Sequence, residues 1–154
     1  MEVETVHGDL LDQKVEAIVN AWNRNIIPWW LLLPQGVSGA IKRRGGLQPF
    51  VEIGRAGPIE LGDAFLTSAG TLPFRGIIHV AGINGFWQAS EYSIRRSVRS
   101  ALAIAEQEKY ASVAFPVIGS GSGSFRQGEA LELMLDEFAR LESGIAARIV
   151  VYGK

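Results

Sequence analysis

The chain has 154 residues, of which 47% are hydrophobic and 20% are charged, and its formal net charge at pH 7 is −1. This size and composition are typical of one globular domain, and the near-zero charge argues against broad electrostatic binding to nucleic acid, which requires a strongly basic face. The absence of cysteine excludes disulfides, thiolate catalysis and cysteine-ligated zinc, and without a visible signal peptide the sequence predicts a cytoplasmic protein.

Strand and helix patterns alternate along the chain. Strands are predicted at residues 2–7 and 16–20, a short helix at 37–44, strands at 64–69 and 76–81, a helix at 91–108, a strand at 112–118, a helix at 127–141 and a strand at 147–152. The apolar run from Ile26 to Leu33 is interrupted by proline and is far shorter than the roughly 20 residues that span a bilayer, so no membrane partner is expected.

This alternation with apolar strands predicts a three-layer α/β/α sandwich with a mixed, largely parallel sheet, formed by residues 1–154 as a single domain. The first strand alternates polar and apolar residues as an edge strand does. In such sheets, ligands bind beyond the carboxyl ends of the strands. The segments that follow the strands are therefore the candidate site.

Residues 119–124 form a loop of only glycine and serine between the strand pattern of residues 112–118 and a helix pattern that starts near Gln127. Alternating glycines let backbone N–H groups converge on an anion, and a helix N-terminus adds partial positive charge. The loop is neither a Walker loop nor a G-x-G-x-x-G fingerprint. Its position after a core strand favours a phosphate or diphosphate site, with a plain flexible turn as the alternative.

Other candidate segments follow the remaining strands. Residues 35–39 open a helix and offer a second set of backbone donors, and two opposed donor loops suit a diphosphate. Asn20 and Asn23 follow the second strand. Asparagine offers both a donor and an acceptor, which suits ribose hydroxyls, and capping of a turn is the alternative. Asp9, taken alone, is a turn residue.

In chain order, these segments resemble the macro domain family. Family members typically read G-D-I, then D-A-I-V-N-A-A-N, then G-G-G-V-D-G-A-I. This chain reads G-D-L at residues 8–10, V-E-A-I-V-N-A-W-N at residues 15–23 and G-V-S-G-A-I at residues 36–41. The similarity continues through G-D-A at residues 62–64 and A-F-P at residues 114–116, and it spans nearly the whole chain.

The resemblance implies a module that binds ADP-ribose, as a free metabolite, a derivative or a modification on a protein. By position, Asp9 would accept a hydrogen bond from the adenine amino group beside the Leu10 backbone, and Asn23 would contact the distal ribose. Tyr152 would stack on adenine, with a plain surface position as the alternative. The other implied contacts are Asn20, then Gly36, Val37 and Ser38 of the first phosphate loop, then Gly119, Ser120, Gly121, Ser122, Gly123 and Ser124 of the second, with Phe125 on the distal ribose side.

Three departures from the family pattern bear on mechanism. Where relatives carry a run of glycines, residues 24–35 hold a longer apolar segment with two tryptophans. We expect residues 28–33 to cover the distal ribose or to form a protein contact, with core packing as an equal alternative. Ser38 stands where hydrolytic relatives carry Asp, and a serine hydroxyl has no acid–base capacity near neutral pH. Gly123 replaces the aromatic residue that many relatives carry near the middle of the second loop.

Three hypotheses for function follow. The first is binding of ADP-ribose or an ADP-ribosylated substrate. The second is hydrolysis of ADP-ribosyl or O-acetyl-ADP-ribose linkages, with Asn23 and Ser38 as candidate catalytic residues. The third is a nucleic-acid or poly(ADP-ribose) scaffold that uses exposed tryptophans together with Arg95, Arg96 and Arg99, which are otherwise expected to form a solvated face. The net charge argues against nucleic acid as a partner except as a modified substrate.

The two histidines, His7 and His79, have no clustered carboxylates near them in the sequence. The sequence therefore predicts no metal site and no cofactor. His79 falls inside an apolar strand pattern, and we expect its role to be structural.

Overall fold

The computed structural model describes residues 1–32, 36–86, 88–120 and 125–153. In chain order its elements are β1 (Val3–Gly8), β2 (Ala17–Trp22), α1 (Gly36–Gly45), α2 (Gln48–Gly54), β3 (Ala64–Thr67), β4 (Gly76–Ala81), α3 (Glu91–Gln107), β5 (Ser112–Pro116), α4 (Gln127–Ala139) and β6 (Ala146–Tyr152). Short 3₁₀ turns at Leu10–Asp12 and Trp29–Leu31 follow β1 and β2. Within the described ranges, no helix combines the length and the apolar character that a membrane crossing requires.

The six strands form one sheet in the order β1-β6-β5-β2-β4-β3. Every neighbouring pair is parallel except β3 with β4, which is antiparallel. β1 lies at one edge, as its alternating pattern predicted. The prediction of a mixed, largely parallel sheet is confirmed. Because β6, β5, β2 and β4 are parallel neighbours, the segments that follow them emerge side by side at one end of the sheet.

Alternate residues of each central strand pack on opposite faces of the sheet. Ala17 and Val19 of β2 join the cluster that contains α3 and α4, whereas Ile18 joins the cluster that contains α1 and α2. In the same way, Phe115 and Ala114 of β5 face opposite clusters. The central strands are apolar on both faces because helices cover both. The predicted three-layer α/β/α sandwich is therefore confirmed.

The main difference from the predicted elements is the additional helix α2. It has seven residues, with Pro49 in its first turn and Phe50 and Ile53 buried. Two turns of helix hold too few apolar positions for a helical period to be recognised. β2 also runs to Trp22 rather than ending at Asn20. Trp22 is drawn into the core, where its ring lies 5.3 Å from the ring of Phe50.

The α3 arginines that were expected to form a solvated face take part in ion pairs. Arg95 and Arg99 donate to Glu137 of α4 at 3.2 and 2.8 Å. Burial opposes ionisation of Glu137, but the two guanidinium groups outweigh burial and hold the pKa of this carboxyl below its ordinary value. Arg96 pairs with Asp63 at 2.6 Å. Arg95 departs from the expectation, because its side chain packs toward α4 and is only 18% exposed, whereas the side chains of Arg96 and Arg99 are 37% and 47% exposed.

Two buried serines of α3 provide a matched test of this packing. Both Ser97 and Ser93 are fully buried. Ser97 Oγ has no hydrogen-bond partner among the described residues, whereas Ser93 Oγ donates to the Gly82 carbonyl at 2.9 Å and accepts from the Ser90 N–H. Ser97→Ala removes an unsatisfied polar atom and is expected to raise the free energy of unfolding by about 1 kcal/mol. Ser93→Ala is expected to lower it by about 1–3 kcal/mol.

Urea unfolding of the two variants and the wild type measures both changes. A Ser97→Ala protein that is as destabilised as Ser93→Ala would contradict the assignment of Ser97 as unsatisfied.

Candidate functional site

A cavity of about 820 Å³ lies at the carboxyl ends of the parallel strands. Its size is within the range of small-molecule sites, and its position is where ligands bind in α/β sheets. The predicted site residues that line it are Asp9, Leu10, Gly36, Val37, Ser38, Gly119, Ser120 and Tyr152. Residues that follow β1, β2 and β5 are thus brought together with Tyr152, the last residue of β6.

The first predicted phosphate loop starts α1. Gly36 has a φ of +59°, a left-handed conformation that favours glycine, and Val37 and Ser38 follow in the first turn. The first N–H groups of a helix have no partner within the helix and point along its axis toward the N-terminus. α1 therefore directs backbone donors and the positive end of its dipole to the cavity, an arrangement that suits an anion.

The second predicted phosphate loop begins at Gly119, where the chain leaves β5. Its φ is +88°, and a Cβ at this position would lie 2.9 Å from Ala89 Cβ, so the position requires glycine. Ser120 Oγ donates to the Val117 carbonyl at 2.9 Å. The Phe125 N–H donates to the Gly119 carbonyl at 3.1 Å and closes the base of the loop. The predicted contacts Gly121, Ser122, Gly123 and Ser124, together with residues 33–35, lie outside the described residues.

The ends of β1 and β6 form another part of the cavity wall. The parallel register pairs Gly8 with Tyr152, which places Asp9 near the tyrosine. Asp9 Oδ1 accepts from the Leu11 N–H at 2.9 Å, and Asp9 Oδ2 lies 3.6 Å from Arg44 Nη1. Tyr152 is 84% exposed. An exposed aromatic ring beside an accepting carboxylate suits a purine with an exocyclic amino group.

Asn20 lies in the core, which corrects the expectation that it contacts ligand. Asn20 and His79 are fully buried. Asn20 Oδ1 accepts from Ser38 Oγ at 3.0 Å, and Asn20 Nδ2 donates to His79 Nδ1 at 3.0 Å. Because both ends of the amide are occupied within the protein, Asn20 contributes to the site by holding Ser38. His79 is structural, as expected, and its Nε2 lies 2.9 Å from Thr67 Oγ1.

Asn23 and Phe125 are not among the cavity-lining residues. Asn23 is 6% exposed, and its Oδ1 accepts from the Asn25 N–H at 2.6 Å. Asn25, at a φ of +60°, in turn donates to the Ile53 and Gly57 carbonyls. Phe125 packs against the α3–α4 cluster. Direct contact of Asn23 or Phe125 with a ribose stays a prediction.

The apolar segment after β2 has an inward part and an outward part. The Trp29 ring lies 6.4 Å from the Phe50 ring, and a Cβ at Gly54 would lie 2.9 Å from Trp29. Trp30 and Leu31 are 67% and 61% exposed. Trp29 thus follows the core-packing alternative. None of residues 28–32 lines the cavity, and a cover over the ribose or a protein contact made by this segment stays a prediction.

Titratable side chains limit the chemistry of the cavity. Among its described lining residues these are Asp9, Arg43, Arg44 and Tyr152. In the described ranges, no group of three or more His, Cys, Asp or Glu side chains is placed to hold a metal ion. The cavity therefore offers donors and cations for an anionic ligand, and its described carboxylate is Asp9, at the Tyr152 end.

Sequence reasoning missed Arg43 and Arg44 as site residues because they were assigned only to the C-terminal dipole of α1. A signal was present in the spacing. Val37, Ala40 and Arg44 follow i, i+3, i+7 spacing, which places them on one helix face, and Val37 was already predicted to contact ligand.

Burial of His79 should make the stability of the protein depend on pH. Burial lowers the pKa of His79 to about 3, below the value of about 6.5 expected in the unfolded chain. Between these values the unfolded state binds more protons, so stability is full above pH 6.5 and is lost as the pH falls. We expect the free energy of unfolding to fall by about 1.5 kcal/mol from pH 6.5 to pH 5 because of this residue.

His79→Gln removes the titrating group and should remove this part of the slope, measured by urea unfolding at both pH values. Carboxylates remain mostly ionised in this window, so they change the slope little. Equal slopes in wild type and variant would contradict a buried, neutral His79.

Known proteins that are similar to this chain include macro domain proteins. The family model of the Macro domain matches residues 19–134. A macro domain-containing protein of Listeria monocytogenes is 36% identical over 143 residues, covering 88% of this chain and 77% of that protein. An O-acetyl-ADP-ribose deacetylase of Citrobacter rodentium is 30% identical over 158 residues, covering 97% of this chain and 85% of that protein. A mutant macrodomain of Oceanobacillus iheyensis with ADPR has a TM-score of 0.81 and 25% identity, covering 96% of this chain and 83% of that chain. This chain belongs to the Macro domain family.

Proposed function

We propose that this protein binds ADP-ribose or a derivative of it in the cavity at the carboxyl end of the sheet. One observation carries the proposal: two loops of backbone donors, at residues 36–38 and 119–120, line the same cavity as Asp9 and Tyr152. The relatives support the choice of ligand. A macrodomain at 25% identity has ADPR bound, and a relative at 30% identity is named for O-acetyl-ADP-ribose.

The strand order suggests how the parts of the ligand are arranged. Asp9 and Tyr152 follow β1 and end β6, residues 119–120 follow β5, and residues 36–38 follow β2. In this order along the sheet, adenine would bind between Asp9 and Tyr152, and the diphosphate would bind between the two loops. The distal ribose would then lie toward the end of β4, where Gly82 lines the cavity.

Hydrolysis of ADP-ribosyl or O-acetyl-ADP-ribose linkages is a further part of the proposal, with Asn23 and Ser38 as the candidate residues. Neither side chain is an acid or base near neutral pH. Asp9, the carboxylate among the described lining residues, belongs to the proposed adenine end. Turnover would therefore depend on a water oriented by the protein and activated by a phosphate oxygen of the substrate itself.

A non-catalytic ADP-ribose reader is the second candidate function. The observation that favours it is the serine at position 38, because a serine hydroxyl supplies no base that could take a proton from water near neutral pH. The scaffold hypothesis receives less support, because Arg95 and Arg99 are paired with Glu137 and Arg96 with Asp63. These arginines form ion pairs with carboxylates of the protein, which makes them less available to phosphate groups, so nucleic acid is proposed as a partner only when it carries ADP-ribose.

Replacement of Gly119 tests the contribution of the second loop to ligand binding. Gly119→Ala places a methyl group against Ala89 and Ile94 at a positive φ, which displaces the second loop. By isothermal calorimetry, we expect the wild type to bind ADP-ribose more tightly than AMP, and we expect Gly119→Ala to weaken ADP-ribose binding about tenfold or more. Gly144→Ala is the matched control, because a Cβ there meets no atom within 4 Å.

The control should bind ADP-ribose as the wild type does. A wild-type protein that shows no binding of ADP-ribose at millimolar concentration would end the proposal. Full affinity in a folded Gly119→Ala protein would remove the second loop from the site.

Hydrolysis is tested with O-acetyl-ADP-ribose and with ADP-ribosylated protein, and mass spectrometry follows the products. We expect any turnover by the wild type to be lost in Asn23→Ala, since the distal ribose would no longer be positioned. Gly144→Ala again serves as the control. If the wild type binds ADP-ribose but leaves both substrates intact, the protein is a non-catalytic reader. Undiminished turnover by Asn23→Ala would contradict the role of Asn23.

A further inference from the structure

We infer that the Ser38 hydroxyl is held as a hydrogen-bond acceptor toward the cavity, so that it recognises a hydroxyl group of a sugar or a water molecule and not a phosphate oxygen. This inference rests on the proposed function for the identity of the ligand. Its physical basis is a chain of hydrogen bonds that runs from Ser38 through Asn20, His79 and Thr67 to the Ser68 carbonyl. Donor and acceptor roles along the chain follow from its far end.

The direction of the chain is determined at Ser68. A backbone carbonyl only accepts hydrogen bonds, and Thr67 Oγ1 lies 2.9 Å from the Ser68 carbonyl oxygen. Thr67 therefore donates its single hydroxyl proton there. The other contact of Thr67 Oγ1 is His79 Nε2, at 2.9 Å. Since the hydroxyl proton is already used, Thr67 accepts in this second contact, and His79 carries a proton on Nε2.

The tautomer of His79 determines the orientation of the Asn20 amide. The His79 side chain is fully buried, and burial keeps it neutral by lowering its pKa. A neutral imidazole with its proton on Nε2 has a lone pair on Nδ1, which must accept. Asn20 therefore points its Nδ2 group toward His79 Nδ1, at 3.0 Å, and its carbonyl oxygen toward Ser38. The orientation of the Asn20 amide is set by the protein and does not depend on ligand.

Ser38 completes the chain. Its hydroxyl proton is donated to Asn20 Oδ1 at 3.0 Å, so only lone pairs remain for other partners. Ser38 is half-buried and lines the cavity. Phosphate oxygens near neutral pH are acceptors and would face these lone pairs unfavourably, whereas a ribose hydroxyl or a water donates to them. The backbone N–H groups of the first loop donate to the phosphates, and the Ser38 side chain accepts a hydrogen bond from the neighbouring sugar.

In this arrangement Asn20, His79 and Thr67 are positioning residues. They do not line the cavity, and they act on ligand only by fixing the direction of the Ser38 hydroxyl. A single hydroxyl free to rotate would offer a donor or an acceptor according to the ligand. The buried chain removes that freedom and makes Ser38 selective for donors.

The chain direction is tested without ligand by ¹⁵N NMR of the His79 ring in the full-length protein. We expect the neutral tautomer with the proton on Nε2 between pH 5 and pH 8 in the wild type and in Ser38→Ala. In Ser38→Asp at pH 8, the carboxylate has no proton to donate. Because the direction of the chain is set at Ser68, Asn20 should keep its Oδ1 toward position 38, and the proton on His79 should stay on Nε2.

A His79 protonated on Nδ1 in the wild type or in Ser38→Ala, or a Ser38→Asp protein in which the His79 proton moves to Nδ1, would overturn the inference. If Ser38→Asp does not fold, the His79 tautomers of the wild type and of Ser38→Ala decide the direction of the hydrogen-bond chain.

The role toward ligand is tested by calorimetry with ADP-ribose and ADP, which differ by the distal ribose. Ser38→Ala keeps the backbone donors but loses the acceptor, so the preference for ADP-ribose over ADP should fall about fivefold to tenfold. Ser38→Thr keeps the hydroxyl and should restore the preference.

Equal losses for both ligands in Ser38→Ala would overturn the inference and leave the proposed function intact. A wild type that binds neither ligand would instead remove the proposed function, and the tautomer of His79 would still decide the direction of the chain.

Discussion

The parallel pairing of β2 with both β4 and β5 is the constraint on which the candidate site depends. The register of β2 with β4 places Asn20 directly beside His79, and the pairing with β5 brings the Gly119 loop next to the start of α1. A slip of one residue would turn Asn20 to the other face of the sheet and would separate it from both Ser38 and His79. The geometry of the cavity and the register of the sheet are therefore coupled.

A buried polar chain inside an apolar sheet is costly unless all of its members are paired. Here each member has a partner: Asn20 bonds to both Ser38 and His79, and the other ring nitrogen of His79 bonds to Thr67. The chain extends from the cavity to the antiparallel edge strand β3. It explains why polar side chains occur in otherwise apolar strands, and it links the fold to the chemistry of Ser38.

Much of the site could be predicted because it depends on short-range patterns. Asp9 follows β1 and Tyr152 ends β6, and the family resemblance implies a contact with adenine for both. The direction of the Asn20 side chain could not be predicted, because the sequence pattern allows a residue at the end of a strand to be either buried or exposed. The pairing of Arg95 and Arg99 with Glu137 was also hidden, because ion pairs between helices depend on how α3 and α4 pack.

The sequence by itself determined the family, the alternation of strands and helices and the two glycine-containing loops. These features depend on the spacing of residue types along the chain and on backbone positions that require glycine, such as Gly119. Only the tertiary structure decided which side chains of those segments reach the cavity. Asn20 is withdrawn into the core, Arg44 is added to the wall beside Asp9, and Trp29 packs under the surface. These outcomes depend on contacts between residues distant in the chain, and such contacts leave no periodic signal in the sequence.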